Sequence, residues 1–319
     1  MSEYAFELAL CAQLEGERER IVSRQLGTQV HGRRVMDIVC IEPGKAFDER
    51  VALTAESIPH LAIMSDVGPG RARYWKDAFD CHPDTAASVV ERAVDIGFFE
   101  RERRNGRTYV RQTAGYPDWY DTIVGIENKP DLGRPGALET QLLTDVQLGL
   151  VDEIVLATES YVTGAHRNRI PEEVGVWRFD PDTGERTVLR EPERLPTRDS
   201  GIEIIDRNSA RTEIRVATPN EIELARMRVA ERAYGKGWRT YDWPECAEME
   251  PDEAALPYCS WLERVVHPAE DCGSYCDGFE PAEPPDVDTE RVRAERTPWK
   301  PDPDGLQRTQ AGLDRYFKD

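Results

Sequence analysis

Lysine is the scarcest charge in this chain. Six residues (Lys45, Lys76, Lys129, Lys236, Lys300 and Lys318) stand beside 35 arginines in a sequence of 319. Basic residues of both kinds are outnumbered 41 to 61 by acidic ones, for a net charge of -20 and a pI near 4.8. A basic pI, the usual mark of a nucleic-acid-binding protein, is therefore missing, and only local charge is informative. Concentrated salt screens the self-repulsion of so acidic a fold, so the balance reads as a cytoplasmic protein of a salt-accumulating organism. No run of about 18 apolar residues occurs, which excludes a transmembrane helix. The N-terminus, residues 1–7 (MSEYAFE), has neither a basic n-region nor a small-residue cleavage site and reads as the start of a helix. Disorder of the whole chain is excluded by 39% hydrophobic residues and regular strand-like runs. Seven cysteines, an odd number with no secretion signal before them, argue against a disulfide framework.

What is present is a succession of α/β elements. Residues 3–15 (EYAFELALCAQLE) place Phe6, Leu10 and Leu14 on one helical stripe. Residues 33–42 (RRVMDIVCIE) are β-branched and apolar and predict a strand that Pro43-Gly44 stops. Residues 73–112 form a pattern of their own. Asp84 is expected to cap a helix burying Val89, Val90, Ala93 and Val94, with Gly97 ending it. A strand then starts at Phe98-Phe99, Asn105-Gly106 makes a hairpin turn, and Thr108-Tyr109-Val110 returns. Arginines at 101, 103, 104, 107 and 111 line that hairpin, and helix plus hairpin predict a winged-helix-like module over residues 70–115. A strand over 122–127, a helix over about 137–150, strands over 153–158 and 174–179, and a return at 187–189 after Asp182-Thr183-Gly184 complete an α/β sheet. Thr218-Pro219-Asn220-Glu221 opens a capped helix running to Gly235 within a linker region, 191–240. Residues 281–319 read as an extended acidic, Pro-rich tail.

Two groups of residues carry chemistry. Phosphodiester hydrolysis with a divalent metal needs carboxylates that converge on one ion and a cation near the attacking water. Residues i and i+2 of a strand share a face, so Glu127 and Lys129 are expected together at a strand end, with Pro130 keeping Lys129 extended. Asp37 sits within an apolar strand, where a carboxylate is costly unless used. Asp118, in Pro117-Asp118, is the alternative Asp because it stands nearer to Glu127 in the chain. His166 reads as a loop residue with a local hydrogen bond. The second group is Cys246, Cys259, Cys272 and Cys276, four soft ligands in a Pro-rich segment over 241–280 that can build little core. A bound metal would supply the missing folding energy, with Zn²⁺ preferred to a 4Fe-4S cluster, although the spacing matches no common zinc-finger formula.

At these residues the chain resembles the PD-(D/E)XK, or restriction-endonuclease-like, nuclease superfamily. That pattern is a helix with Glu, a strand with Asp, a strand with Glu-x-Lys, a helix often bearing Gln, and two further strands. Glu7, Asp37, Glu127 with Lys129, and Gln141 fall in that order. The stretches GIENKPDL, LETQLLTDVQLGLVDEIVLATES and IPEEVGVWRFD are similar to MmcB-type and RecB-type nuclease-like members, and the chain as a whole resembles a haloarchaeal domain family to which no function is attached. The resemblance covers residues 1–42 and 117–190. It implies a restriction-endonuclease-like mixed sheet flanked by helices, Mg²⁺ or Mn²⁺ on Asp37 and Glu127, and Lys129 at the water, with Glu7 and Gln141 in the same site. The chain departs from it in the ninety positions between Asp37 and Glu127, which require an insertion between adjacent strands. The expected partner is nucleic acid, DNA before RNA, and no membrane. The rival expectation is a non-catalytic DNA-binding or regulatory protein on the same scaffold.

Overall fold

The computed structural model describes residues 2–27, 35–51, 58–68, 71–113, 118–133, 136–197, 199–207, 212–235, 239 and 242–300. Arg33 and Arg34 of the expected strand, Pro117, and residues 301–319 of the expected tail lie outside them.

Helix α1 (Glu3–Gly16) starts at Ser2, whose hydroxyl accepts the Ala5 N–H at 3.2 Å. The expected stripe Phe6, Leu10 and Leu14 is buried, and so are Leu8 and Ala12 on another side. The helix is apolar nearly all round because it is enclosed twice, by the sheet and by Leu256 of the C-terminal segment. Strands β1 (Ile21–Gly27) and β2 (Val35–Pro43) pair antiparallel. Pro43-Gly44 ends β2, and a Cβ on Gly44 would stand 2.9 Å from the Tyr120 carbonyl carbon, so the chain can pass there only as glycine.

The chain then leaves the sheet. It makes α2 (Phe47–Val51), α3 (His60–Ile63), β3 (Arg73–Tyr74), a 3-10 turn (Trp75–Asp77), α4 (Pro83–Asp95), β4 (Phe99–Arg104) and β5 (Arg107–Gln112). The three strands form a separate sheet in the order β3-β5-β4, closed over Val90, Ala93, Phe98, Phe99 and Val110. Helix α4 starts two residues earlier than expected. Pro83 occupies its first turn and His82, not Asp84, is the cap, with Nδ1 accepting the Asp84 N–H at 3.3 Å. Asn105 (φ 48°) and Gly106 (φ 75°) are both left-handed, as a two-residue turn between twisted strands requires.

Strand β6 (Tyr120–Asn128) returns to the main sheet and pairs antiparallel with β2, Ile38 opposite Ile126. Residues 44–119 are thus the insertion between sheet neighbours that the sequence requires. Helix α5 (Leu138–Leu148), ended by Gly149 at φ 66°, carries the chain across to β7 (Glu153–Thr158), parallel to β6. A short α6 (Gly164–Arg167) precedes β8 (Gly175–Phe179), parallel to β7, and β9 (Arg186–Arg190) closes the edge as an antiparallel hairpin. The order is β1-β2-β6-β7-β8-β9, a mixed sheet of the expected α/β class.

The 191–240 region holds more than a linker. Strands β10 (Gly201–Arg207) and β11 (Thr212–Ala217) form a hairpin before α7 (Pro219–Gly235). One core packs α1 on the sheet through Phe6, Leu10, Val22, Cys40, Val124 and Val155. The other packs α5 and α7 on the opposite face through Leu138, Leu142, Val229 and Ala233. At roughly 1.5–3 kcal/mol for each buried large aliphatic or aromatic side chain, these two layers dominate stability. The cysteine-bearing segment is a small sheet of β12 (Met249–Pro251), β13 (Pro257–Cys259) and β14 (Arg264–Val265), followed by α8 (Pro268–Asp271). The expectation of an extended tail from residue 281 is corrected for its described part. Helix α9 (Thr289–Arg296) is capped by Asp288, and its buried Arg293 donates to the carbonyls of Ala233 and Tyr234 at 3.1 Å each. Those carbonyls belong to the last turn of α7 and need donors, which Arg293 supplies.

Candidate active site

Asp37 lies near the start of β2 and Glu127 near the end of β6, each one residue beyond the Ile38–Ile126 pair. The half-buried Asp37 carboxylate does the work of a backbone group. Its Oδ2 accepts the Asn128 N–H at 3.0 Å, carrying the hydrogen-bond ladder one step past the paired backbone. Asp118 stands beyond the opposite end of β6 and is exposed. The strand between it and Glu127 spans roughly 30 Å, so Asp37 and not Asp118 lies at the strand end that carries Glu127.

Glu127 is buried and lines a cavity of about 10 Å³ with Met36, Gly125, Ile126, Asp145 and Ile154. Asp145, also buried, is on α5 one turn beyond Gln141, which is half-buried. Sequence reasoning selected Gln141 and passed over Asp145. The signal was present: Leu138, Leu142 and Asp145 follow one another on the buried face of α5, so a carboxylate interrupts an apolar stripe.

Glu7 reaches the same strand end from α1. Its Oε1 accepts from Arg24 Nε at 2.6 Å, and its Oε2 accepts from Gln25 Nε2 at 2.8 Å and from Asn128 Nδ2 at 3.0 Å. Arg24 in turn lies over the Tyr4 ring at 4.7 Å. The expected helix glutamate is therefore in place, but its charge is balanced by a guanidinium and its hydrogen bonds orient Asn128. Asn128 Oδ1 is buried with no hydrogen-bond partner among the described residues. A buried orphan acceptor beside two carboxylates is a place for a donor, a water or a cation.

The expectation that Glu127 and Lys129 share a face is not met. Glu127 faces the α5 side, whereas Lys129 Nζ lies 3.2 Å from Glu3 Oε1 on α1. The strand itself explains the difference. Strand β6 ends at Asn128, and although the Lys129 N–H still bonds the Ala157 carbonyl at 2.8 Å, alternation no longer governs a long side chain at the terminus.

The donors Asp37 and Glu127 are hard oxygens of the kind Mg²⁺ or Mn²⁺ takes. Among the described residues no three His, Cys, Asp or Glu side chains are gathered about one point as a metal cage. Two carboxylates with the remaining positions left to water and substrate phosphate is the usual Mg²⁺ arrangement, and that donor set fits.

The other expected residues lie apart from this strand end. His166 is half-buried and closes a local capping box with Thr163. On the inserted hairpin, Arg104 is paired with Glu102 and Arg111 with Glu100, while Arg107 lies over the Tyr74 ring at 5.5 Å. Alternating Glu and Arg on β4 thus neutralise part of the positive edge. Cys246, Cys259, Cys272 and Cys276 come together around one cavity of about 10 Å³. Cys11 and Cys40 are fully buried core residues, and burial pushes the Cys40 thiol up to about 12, which makes it inert.

Residues 21–281 match the model of a family described as a family of unknown function (DUF5787). The match takes in β1 to β14, hence Asp37, Glu127, Lys129, Asp145 and the four cysteines, and begins after α1. No curated protein and no solved structure matches the chain.

Proposed function

The chain belongs to that family, and from its own residues we propose that it is a Mg²⁺- or Mn²⁺-dependent nuclease of restriction-endonuclease-like architecture, acting on DNA. The observation that carries the reading is the hydrogen bond from Asn128 N–H to Asp37 Oδ2. It brings a carboxylate from ninety residues away to the strand end that carries Glu127, Asn128 and Lys129, with Glu7 joining through Asn128. A chance Glu-x-Lys in a strand would not gather those partners. A divalent ion bound there would polarise the scissile phosphate and acidify water. Asp37 and Glu127 would be its ligands. Asn128, held by Glu7 on the α1 side, keeps the strand end in place through its N–H on Asp37. Lys129, drawn from its ion pair with Glu3 by an arriving phosphate, stabilises the charge that develops in the transition state. The inserted helix and three-stranded sheet act as a winged-helix-like module for DNA, its arginines contacting phosphate.

The second reading, a DNA-binding protein on the same scaffold that does not cut, is favoured by the ion pairs that already engage Glu7 and Lys129. One experiment separates the two. The protein is expected to cut DNA with Mg²⁺ or Mn²⁺ in high salt and to stop with EDTA. Asp37→Ala and Glu127→Ala each abolish cutting, and Lys129→Ala lowers kcat while leaving DNA affinity nearly unchanged. Asp118→Ala, at the far end of β6, has no effect. Replacing Arg103, Arg104 and Arg107 together weakens DNA binding and flattens its salt dependence. Tight DNA binding without cutting, under any metal or substrate tried, would decide for the scaffold reading.

A further inference from the structure

Residues 242–282 form a unit with almost no core of its own. Its apolar cluster consists of Cys246, Met249, Cys259 and Val266, with Trp243, Cys272 and Phe279 partly buried against them. Three of those seven members are cysteines, so the thiols are the core instead of decorating it. Its regular structure is equally slight: three strands of two or three residues each, and a four-residue helix. An assembly with so little core of its own usually relies on a covalent or metal staple. No disulfide links any of the cysteines.

The four thiols come from four different places in the segment and line one cavity. Cys246 sits in the turn before β12, whose Met249 N–H bonds the Cys246 carbonyl at 3.1 Å. Cys259 ends β13, opposite Met249 and Arg264. Cys272 follows α8, and Cys276 is held in a tight turn, its N–H on the Gly273 carbonyl at 2.9 Å. All four line the same cavity of about 10 Å³, with Glu248, Met249, Leu262, Asp271 and Phe279 completing the wall. That space takes one atom-sized guest. As they stand, the sulfurs do not close on a single point, and closing would be a movement into a cavity that they already line.

The lining points to what the guest must be: four soft sulfur donors around one small space suit a borderline-soft, atom-sized cation. Two of the four are nearly inaccessible to solvent, at 8% for Cys246 and 6% for Cys259, so an anionic cluster has little water to stabilise it.

From these observations we infer that Cys246, Cys259, Cys272 and Cys276 bind one zinc ion as thiolates, and that this ion holds the segment as a clamp on α1. Loading exchanges up to four thiol protons for one Zn²⁺, with no change of oxidation state. Soft sulfur donors in a tetrahedral set of four suit zinc, at Zn–S distances of about 2.3 Å. The clamp has three contacts. Leu256 packs on Leu8 and Ala12. The His267 ring stacks on Tyr4 with centroids 3.9 Å apart. Arg239 joins Glu15 at 2.7 Å and the Ala254 carbonyl at 2.8 Å. Tyr4 is the residue under Arg24, which balances Glu7. The inference stands whether or not the strand end is a nuclease.

The test uses the full chain as purified. Elemental analysis should find about one zinc per chain. A thiol reagent should react at once only with the half-exposed Cys81, and with about four more thiols after a chelator has removed the metal. Cobalt replacement should give the sulfur-to-cobalt charge-transfer absorption of a tetrahedral thiolate site. Cys276→Ser should lower the zinc content and open residues 242–282 to protease while β1 to β9 stay folded. If that variant is insoluble, the thiol count of the native chain decides by itself. Metal-free protein with four freely reactive thiols and a protease-resistant segment would overturn the inference. So would two disulfides by mass, or iron with acid-labile sulfide in place of zinc.

Discussion

Glu127 and Asp145 are two buried carboxylates on one small cavity, and a shared positive charge is the natural stabiliser of such a pair. Asp145 need not be a ligand to matter. From its place on α5 it sets the charge and shape of the space in front of Glu127, which makes it a positioning residue. Asp145→Asn keeps the volume and removes the charge. The expected outcome is a Mg²⁺ requirement for cutting raised by about 10–100-fold, with kcat at saturating Mg²⁺ and thermal stability nearly unchanged. Titration of activity against Mg²⁺ checks it, and a curve superimposable on the unsubstituted protein's would leave Asp145 a purely structural residue. Glu7 and Asn128 meet at the same strand end on the α1 side. Two oxygens and three nitrogens from α1, β1 and β6 meet within hydrogen-bond distance, so the geometry of this strand end depends on α1 keeping its place.

At the scale of elements, α7 is anchored by charge near both of its ends. Arg50 of α2 donates to both oxygens of Glu231 at 2.7 and 2.8 Å, and Trp119 Nε1 donates to Oε1 at 2.6 Å, all fully buried. At its start, Thr218 and Glu221 form a capping box: Glu221 Oε2 accepts the Thr218 N–H at 2.9 Å and Thr218 Oγ1 accepts the Glu221 N–H at 3.4 Å. Arg215 and these Thr218 hydrogen bonds hold the Glu221 carboxyl down to about 2, against an ordinary value of 4.5. A depressed carboxyl stabilises the folded state fully above pH 4.5, and that contribution fades as pH falls towards 2. Because Glu221 is more than a third exposed, solvent screens much of the effect. Glu221→Gln is therefore expected to cost less than about 1 kcal/mol near neutral pH. The difference from the unsubstituted protein should shrink to nothing as pH falls through the 4.5 to 2 window. Denaturation midpoints measured at several pH values check this, and a pH-independent difference would mean that Glu221 acts through packing alone.

At the scale of the molecule, a net charge of -20 acts on every element at once. Local pairs offset it where the chain is most compact, as at Arg239–Glu15, Arg226–Asp152 and Arg50–Glu231. The remaining acidic surface repels itself over a screening length that falls from about 10 Å at 0.1 M salt to about 3 Å at 1 M. The melting temperature is expected to rise between 0.1 and 2 M KCl, most steeply at the low end. A melting temperature that is flat or falling over that range, measured calorimetrically, would remove self-repulsion as a term in the stability. No helix of the described residues is long and apolar enough to cross a membrane.

Local pattern was sufficient wherever the backbone alone sets the conformation. The β-branched run at 153–158 is β7, Thr218-Pro219 opens α7, and Asn105-Gly106 makes the hairpin, because alternation, caps and left-handed turns depend on neighbours in sequence. The charge balance and the apolar stripe of α1 were legible for the same reason. The β10–β11 hairpin was not, since charged residues interrupt both of its runs; nor was α9, whose docking rests on Arg293 meeting carbonyls about sixty residues away. The candidate site divides along the same line. Asp37 stood out as a carboxylate in an apolar strand, and Glu127 with Lys129 as a strand-end motif. Only the β2–β6 register decided that Asp37 reaches Asn128, that Asp118 does not, that Asp145 stands beside Glu127, and that Lys129 turns to Glu3. Register and helix docking are settled by burying whole faces against one another, a long-range energy that no short stretch of residues contains.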